Sequence, residues 1–206
     1  MKQRQIDLFF KILNKELQIA ADVILVGASA GSLMGHVRPS FDIDFEIRLK
    51  RVRSPQAKAK LEASIKKARE IAGVSVNYSE NVGGRSRISY LDYRKTAVPY
   101  KQIGRLNVKL IAPEYWTIGK MARFLELDIQ DMVKIIQRKR LRAGVLVRIW
   151  ARAIRSSDLS LELGQFRDHV IYFIKKYAKK LWGKNINSEK IIEDFKDRVG
   201  RKHFSQ

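Results

Sequence analysis

The stretch that decides the fold covers residues 23–49 and reads VILVGASAGSLMGHVRPSFDIDFEIRL. It starts with four apolar residues at 23–26, a run short enough for a buried strand. Small residues follow at 27–32 and predict a turn that opens a short helix. Polar and apolar residues then alternate strictly over 42–47, which is typical of a half-buried strand. The sequence therefore predicts a strand, a turn with a short helix, and a second strand.

The alternation in the second strand places acidic side chains together. Side chains along a strand point to opposite faces in turn, so Asp42, Asp44 and Glu46 share one face. Neighbours on that face are roughly 6.5–7 Å apart. Carboxylates at this spacing repel one another unless a cation lies between them. The glycine turn and the start of the helix offer backbone N–H groups to a phosphate. Together these features predict a site for a metal ion and a nucleotide.

The two halves of this stretch carry a family resemblance. Val26-Gly27-Ala28-Ser29, then twelve residues, then Asp42-Ile43-Asp44-Phe45 resembles the signature of the DNA polymerase beta-like nucleotidyltransferase superfamily. The lead-in Arg38-x-Ser40-x-Asp42 is similar to the abortive-infection and toxin-type (AbiEii-like) branch. The family usually has Gly or Ser where this chain has Ala28, which would be strained only if that position required a positive φ.

The resemblance implies transfer of a nucleoside monophosphate from an NTP to an acceptor hydroxyl. Two Mg²⁺ ions would be held by Asp42 and Asp44, with Asp92 as the third carboxylate on a neighbouring strand over 86–94. Glu46 is the alternative third carboxylate, because it already shares the face of Asp42 and Asp44. The triphosphate would contact residues implied by the motif and by a helix further along the chain: Gly27, Ala28, Ser29, Arg38, Lys120 and Arg123.

The remaining chain predicts an α+β fold, with a nucleotidyltransferase-type mixed sheet and flanking helices followed by a helical C-terminal region. Helical periodicity or capping residues predict helices over 3–21, 29–36 and 54–72, and strands are expected over 22–27, 42–49, 74–79, 86–94 and 105–111. After Pro113 the pattern is helical throughout, over about 114–126, 128–140, 142–156, 160–181 and 187–200. We therefore expect a nucleotidyltransferase core over 1–112 and a strongly basic helical domain over 113–206.

The first helices of that region extend the resemblance. Pro113-Glu114 opens a helix that carries Lys120 and Arg123 at i and i+3, on one face. The resemblance implies that Lys120 contacts the triphosphate, with Arg123 beside it. Asp128 is expected as the N-cap of the next helix, and Asp131 as a partner of Arg123 or Lys120.

Composition narrows the possible partners. Lys and Arg number 42 against 21 Asp and Glu, a formal charge of +21, which favours nucleic acid first and an anionic membrane second. No apolar run reaches the length of a membrane span, and the charged N-terminus lacks the apolar core of a signal peptide. We expect a cytoplasmic protein without membrane contact. The chain has no cysteine, so thiolate metal sites and disulfides are excluded.

The C-terminal helices are the expected binding surface for RNA, with tRNA suggested by analogy with toxin-type relatives. Trp150 and Trp182 are expected in the core rather than stacked on bases. The alternative is a non-catalytic nucleic-acid-binding protein on the same scaffold, and an acidic antitoxin could also occupy the cationic surface. The candidate RNA-binding residues form two clusters, Arg148, Arg152 and Arg155 in one and Lys175, Lys176, Lys179 and Lys180 in the other.

Overall fold

A computed structural model of the 206-residue chain describes residues 3–35, 41–50 and 54–200. The chain divides into two compact units. The first consists of Met1–Val82 with Arg94–Ala112, and the second of Gly83–Tyr93 with Pro113–Gln206. The fold is α+β with a five-stranded mixed sheet, flanking helices and a helical C-terminal region, as the sequence predicts. Residues 83–93, which we expected in the first domain, accompany the C-terminal helices.

The first unit is built on the sheet, whose strand order is β3-β2-β1-β5-β4. β1 is antiparallel to β2 and parallel to β5, β2 is parallel to β3, and β4 is antiparallel to β5. The elements are α1 Gln3–Leu17, β1 Ala21–Leu25, α2 Gly27–Gly35, β2 Asp42–Leu49, α3 Pro55–Ala72, β3 Ser75–Ser79, α4 Tyr93–Thr96 at the junction with the second unit, β4 Val98–Ile103 and β5 Leu106–Leu110.

One face of the sheet is apolar and forms the core of the first unit. Phe45 of β2 is 1% exposed and contacts the rings of Phe9 and Phe10 of α1. Helix α3 packs on α1 and buries Leu61 and Ile65. The other face carries polar side chains, as the alternation in β2 predicts. The candidate site lies on that polar face.

Local signals in α3 predict its limits correctly. The Ser54 hydroxyl accepts a hydrogen bond from the backbone N–H of Ala57 at 3.1 Å, and Pro55 occupies the first turn. Gly73 ends the helix at φ +62°, a left-handed conformation that glycine adopts without a side-chain penalty.

The predicted strand over 86–94 is absent. This segment forms turns, with Leu91 at φ +54°, and then the short helix α4. Tertiary contacts outweigh its alternating pattern. The Ser89 N–H donates to the Ser157 hydroxyl at 2.8 Å, and a Cβ added to Gly119 would lie 2.0 Å from the Tyr90 hydroxyl oxygen. The fourth strand along the chain is instead β4, and the predicted strand over 105–111 is present as β5.

The second unit is helical, and its core forms around Trp150. This side chain is fully buried, and its Nε1–H donates to the Thr117 hydroxyl at 2.9 Å. Its burial confirms the expected core position. Trp182 is only half-buried. The principal elements are α5 Pro113–Arg123, α6 Glu126–Arg138, α7 Ala143–Arg155, α8 Leu161–Trp182 and α9 Ser188–Val199. No helix within residues 3–35, 41–50 and 54–200 is long and apolar enough to cross a membrane.

Candidate functional site

The turn between β1 and α2 lies against the acidic strand. Gly27 has φ +56°, and a Cβ added there would lie 2.0 Å from Oδ2 and 2.8 Å from Cβ of Asp44. Positive φ and this close approach both favour glycine. The Val26 N–H also donates to the Asp44 carbonyl oxygen at 2.9 Å. The Asp44 side chain therefore packs directly on the backbone of the glycine turn.

Ser29 fixes the same turn from inside the fold. Its fully buried hydroxyl lies 2.9 Å from the Val26 carbonyl oxygen and accepts a hydrogen bond from the Asp44 N–H at 3.2 Å. These bonds join the start of α2 to β2. A phosphate contact by this hydroxyl would require them to rearrange, so the first-turn N–H groups of α2 are the better phosphate donors. Ala28 lies within α2 and has no positive φ, so it causes no strain at that position.

Asp42 and Asp44 converge on one side chain that the sequence analysis missed. β2 and β3 run parallel with Asp44 opposite Asn77. Nδ2 of Asn77 donates to Oδ1 of Asp44 at 3.2 Å and also to Oδ2 of Asp42. Both carboxylates therefore lie within hydrogen-bond reach of a single amide. The polar residue within the predicted strand at 74–79 was a signal, but only the strand register shows that it faces the two aspartates.

Glu46, the alternative third carboxylate, is held by other groups. It is 1% exposed and lies 2.6 Å and 3.0 Å from Nε and Nη2 of Arg94 in a two-pronged ion pair. The Val82 N–H donates to the same carboxylate at 2.9 Å. Both oxygens of this buried carboxylate are therefore engaged with donors of the first unit. Glu46 thus anchors Arg94 on the polar face.

Asp92 belongs to the second unit, where it lies in the turn before α4. Its carboxylate is about half exposed, and Oδ2 lies 3.3 Å from Nη2 of Arg152 in α7. Its strand position was therefore predicted wrongly. Among the residues that the structure describes, no group of three or more His, Cys, Asp or Glu is arranged to hold a metal ion. The oxygens brought together within the first unit are those of Asp42 and Asp44, which share the amide nitrogen of Asn77, and carboxylate oxygens suit a hard cation such as Mg²⁺.

Lys120 lies in a buried ionic cluster, not on the surface. The residue is 2% exposed, and Nζ donates to Oδ1 of Asp128 at 2.7 Å and to Oδ2 of Asp131 at 2.8 Å. Nζ also lies 5.1 Å from the ring centroid of Trp116. Nη2 of Arg123 donates to Oδ1 of Asp128 at 2.7 Å, and Nε of Arg123 donates to Oδ2 of Asp128 at 3.1 Å. We call these two cations and two carboxylates the α5–α6 ionic cluster.

The cluster confirms one local expectation and overturns another. Asp131 pairs with Lys120, as the sequence analysis allowed. Asp128 is not the N-cap of α6, because that helix starts at Glu126 and its N-cap is Leu125. A triphosphate contact by Lys120 would require this cation to leave two buried carboxylates. The Arg123 side chain is 57% exposed, so it is the cation of the cluster that reaches solvent.

The structure also describes the other predicted binding residues, except Arg38. Arg38 and the rest of its lead-in, residues 38–40, lie outside the described residues. Arg148 and Arg155 are exposed on α7, while Arg152 is half-buried and pairs with Asp92. Lys175, Lys176, Lys179 and Lys180 are all exposed on α8.

Comparison of the chain with protein-family models, curated proteins and solved structures found no match.

Proposed function

We propose that this protein is a Mg²⁺-dependent nucleotidyltransferase that moves a nucleoside monophosphate from an NTP to an acceptor hydroxyl. The observation that supports this most directly is the convergence of Asp42 and Asp44 beside the Gly27 turn. A nucleoside triphosphate needs donors for its phosphate oxygens and compensation for the charge of the leaving pyrophosphate. The turn and the first N–H groups of α2 supply donors, and the two carboxylates supply cation ligands.

In the proposed reaction, the acceptor oxygen attacks the α-phosphorus and the bond to the bridging oxygen of the β-phosphate breaks. Pyrophosphate leaves with that electron pair, and the acceptor hydroxyl gives up its proton to solvent water. Asp42 and Asp44 would hold two Mg²⁺ ions, which supply charge stabilisation to the attacking and leaving oxygens. The first turn of α2 would orient the β- and γ-phosphates. Arg38 is a proposed phosphate contact.

The alternative is a nucleic-acid-binding protein on the same scaffold that does not catalyse. The internal bonds of the Ser29 hydroxyl and of Lys120 favour it, because two groups assigned to the triphosphate are engaged within the fold. The two hypotheses differ in whether Mg²⁺ and NTP bind together. Calorimetry with Mg²⁺ and each NTP should give binding only if the enzyme hypothesis is correct.

Asp44→Asn tests the enzyme hypothesis directly. The variant keeps the size of the side chain but removes a charge from the proposed cation site. We expect transfer of label from α-³²P NTPs to total RNA to fall by at least a hundredfold. Mg²⁺ should also raise the Tm of the unmodified protein, because a ligand that binds only the folded state stabilises it, and this shift should vanish in the variant.

Asp22→Asn is the matched control for that experiment. Asp22 occupies the same sheet face on β1, but it pairs with Lys50 at 3.1 Å and accepts from Asn107 at 2.8 Å. Partial burial acts to raise the pKa of Asp22, but the hydrogen bonds from Asn107 and Lys50 outweigh it and hold that pKa below its ordinary value. We expect full transfer activity from this variant. Undiminished activity in Asp44→Asn would refute the assignment.

A further inference from the structure

The C-terminal ends of α6 and α8 lie side by side in the second unit. Nε2 of Gln137 donates to the carbonyl oxygen of Lys180 at 3.3 Å. Nε1 of Trp182 donates to the carbonyl oxygen of Leu141 at 2.8 Å. These two bonds hold the segment after α6 against the last turn of α8. Cations that are 40 residues apart in the chain therefore belong to one surface.

That surface is cationic without acidic neighbours in either segment. The sequence has no Asp or Glu over 132–157 or over 169–188. No ion pair joins Lys139, Arg140 or Lys180 to any residue that the structure describes, and all three are exposed. Like charges gathered in this way repel one another unless a polyanion binds. We call this surface the helix-end patch, and its members are Lys139, Arg140, Arg142, Lys179, Lys180 and Lys184.

The backbone of Arg140, a member of the patch, has an unfavourable conformation. It follows α6 at φ +51°, the left-handed region where helices commonly end in glycine. A side chain other than that of glycine is strained at such a position. Glycine would relieve the strain but would remove the cation. The chain thus keeps a guanidinium at a position where backbone geometry favours glycine.

The composition of the patch distinguishes between possible partners. Membrane-bound amphipathic surfaces place large apolar side chains next to their cations. Of the large hydrophobic side chains that are exposed in the described residues, none lies within 137–142 or 178–184, the two segments that carry the helix-end patch. Protein interfaces depend on a few desolvated aromatic or apolar anchors. Trp182, the aromatic residue in the last turn of α8, has its N–H engaged with Leu141. An array of cations without apolar anchors is best suited to bind phosphate groups.

We propose that the helix-end patch binds the phosphate backbone of a folded RNA. Helices that read the major groove of DNA present their N-terminal residues to the base edges, whereas the cations of the patch lie at or after the C-terminal ends of α6 and α8. Recognition through shape and backbone phosphates is characteristic of structured RNA. If this RNA is also the acceptor of the transferred nucleotide, that part of the inference rests on the proposed function; the binding itself does not.

Fluorescence anisotropy tests the patch with a fluorescein-labelled RNA hairpin and the full chain, without NTP or Mg²⁺. The variant Lys139→Gln/Arg140→Gln/Lys180→Gln removes three patch charges. We expect its affinity at about 0.1 M salt to fall at least tenfold, and the slope of log K against log salt to become shallower by about 2–3. The control Lys15→Gln/Lys60→Gln/Lys66→Gln removes three exposed charges from α1 and α3 and should bind within threefold of the unmodified protein.

Three outcomes of this experiment would overturn the proposal. Equal affinity of the patch variant and the unmodified protein would remove the patch from RNA binding. Equally tight, patch-dependent binding of a DNA duplex of the same sequence would contradict the choice of RNA. Patch-dependent binding of polyglutamate or of phosphatidylserine vesicles, without RNA binding, would assign the surface to an acidic protein or a membrane. Asp44→Asn should bind the hairpin normally, so failure of the catalytic hypothesis is distinguishable from failure of this one.

Arg140→Gly separates RNA binding from a structural role. We expect the Tm of this variant to rise, because glycine relieves the left-handed strain, while its RNA affinity falls about three- to tenfold. A residue that serves only the fold would not change stability and affinity in opposite directions. A higher Tm with unchanged affinity would exclude Arg140 from the RNA contact.

Discussion

At the scale of single residues, the candidate site depends on one glycine. The contact between Gly27 and Asp44 leaves no room for a Cβ, and the positive φ adds a separate constraint. The two constraints can be separated by experiment because Gly73 has a similar φ of +62° but has nothing within 4 Å of an added Cβ. Gly73 therefore measures the conformational cost alone.

We predict that Gly27→Ala lowers the free energy of unfolding more than Gly73→Ala does. The left-handed conformation costs an alanine about 1–2 kcal/mol, which both variants share. Gly27→Ala must in addition displace the Asp44 side chain, so we expect a total loss of about 3 kcal/mol and loss of the stabilisation that Mg²⁺ gives. Urea unfolding with and without Mg²⁺ measures both effects. Equal losses in the two variants would show that the Asp44 contact is unimportant.

The residues of the site could be predicted from sequence only where the signal is local. Alternation in β2 places Asp42 and Asp44 on one face, and the structure agrees. Asn77 was missed because its approach to the aspartates depends on the register between β2 and β3. The burial of Lys120 was missed because its two carboxylate partners lie on the next helix, and spacing along α5 cannot reveal them.

At the scale of elements, the α5–α6 ionic cluster joins two helices through buried charges. Removing one member of a buried ion pair leaves the other uncompensated, which commonly costs about 3–5 kcal/mol. Lys120 has two such partners, and both carboxylates are at most 2% exposed. Its main contribution, on this geometry, is to hold α5 and α6 together.

We predict that Lys120→Met lowers the free energy of unfolding by about 3 kcal/mol or more, because Asp128 and Asp131 lose their shared cation. Lys60→Met, at an exposed position on α3, should change it by less than about 0.5 kcal/mol. Chemical denaturation checks both values. If Lys120→Met folds with normal stability but loses NTP affinity, Lys120 acts on the triphosphate instead.

The edge strand β4 is joined to α1 by a pH-sensitive hydrogen bond. The Tyr100 hydroxyl donates to Asp7 at 2.9 Å, and Lys101 pairs with the same carboxylate at 2.8 Å. Burial and this hydrogen bond raise the pKa of Tyr100 to about 12. The folded state therefore holds the phenol proton more tightly than the unfolded chain, whose tyrosines ionise near pH 10.

We predict that Tyr100 stabilises the fold fully below about pH 10 and that this contribution is lost as the pH rises towards about 12. Tyr100→Phe should be less stable at pH 8, and its stability should fall less between pH 10 and pH 12. Thermal unfolding across this range checks the sign. Parallel curves for the two proteins would show that Tyr100 does not titrate with unfolding.

The elements themselves were predictable where both ends carry local signals. Ser54, Pro55 and Gly73 bound α3 as expected. β4 was missed because it contains Pro99 and has few buried side chains, so neither composition nor alternation predicts a strand. Its extended form depends on pairing with β5, with an irregularity between Pro99 and Lys101. The absent strand over 86–94 is the opposite case, since a strand-like pattern there is overridden by contacts with Gly119 and Ser157.

At the scale of the whole molecule, the formal charge of +21 affects folding and binding in opposite directions. Repulsion among the cations destabilises the compact state, and 0.1 M salt largely screens the repulsion between charges more than about 10 Å apart. A bound polyanion reduces this repulsion more effectively than salt does, because its charges bind as a group and release counterions. Low salt should therefore lower the stability of the free protein and raise its affinity for RNA.

We predict that the Tm of the free protein rises as NaCl increases from about 10 to 200 mM, while RNA affinity falls over the same range. The rise should be smaller in Lys139→Gln/Arg140→Gln/Lys180→Gln than in the unmodified protein, because the patch charges lie close together and repel strongly. Lys15→Gln/Lys60→Gln/Lys66→Gln removes equal charge from helices that also carry acidic residues such as Glu16 and Glu62, and should retain more of the rise. If both variants lose the same fraction of the salt response, the repulsion comes from net charge and not from the helix-end patch.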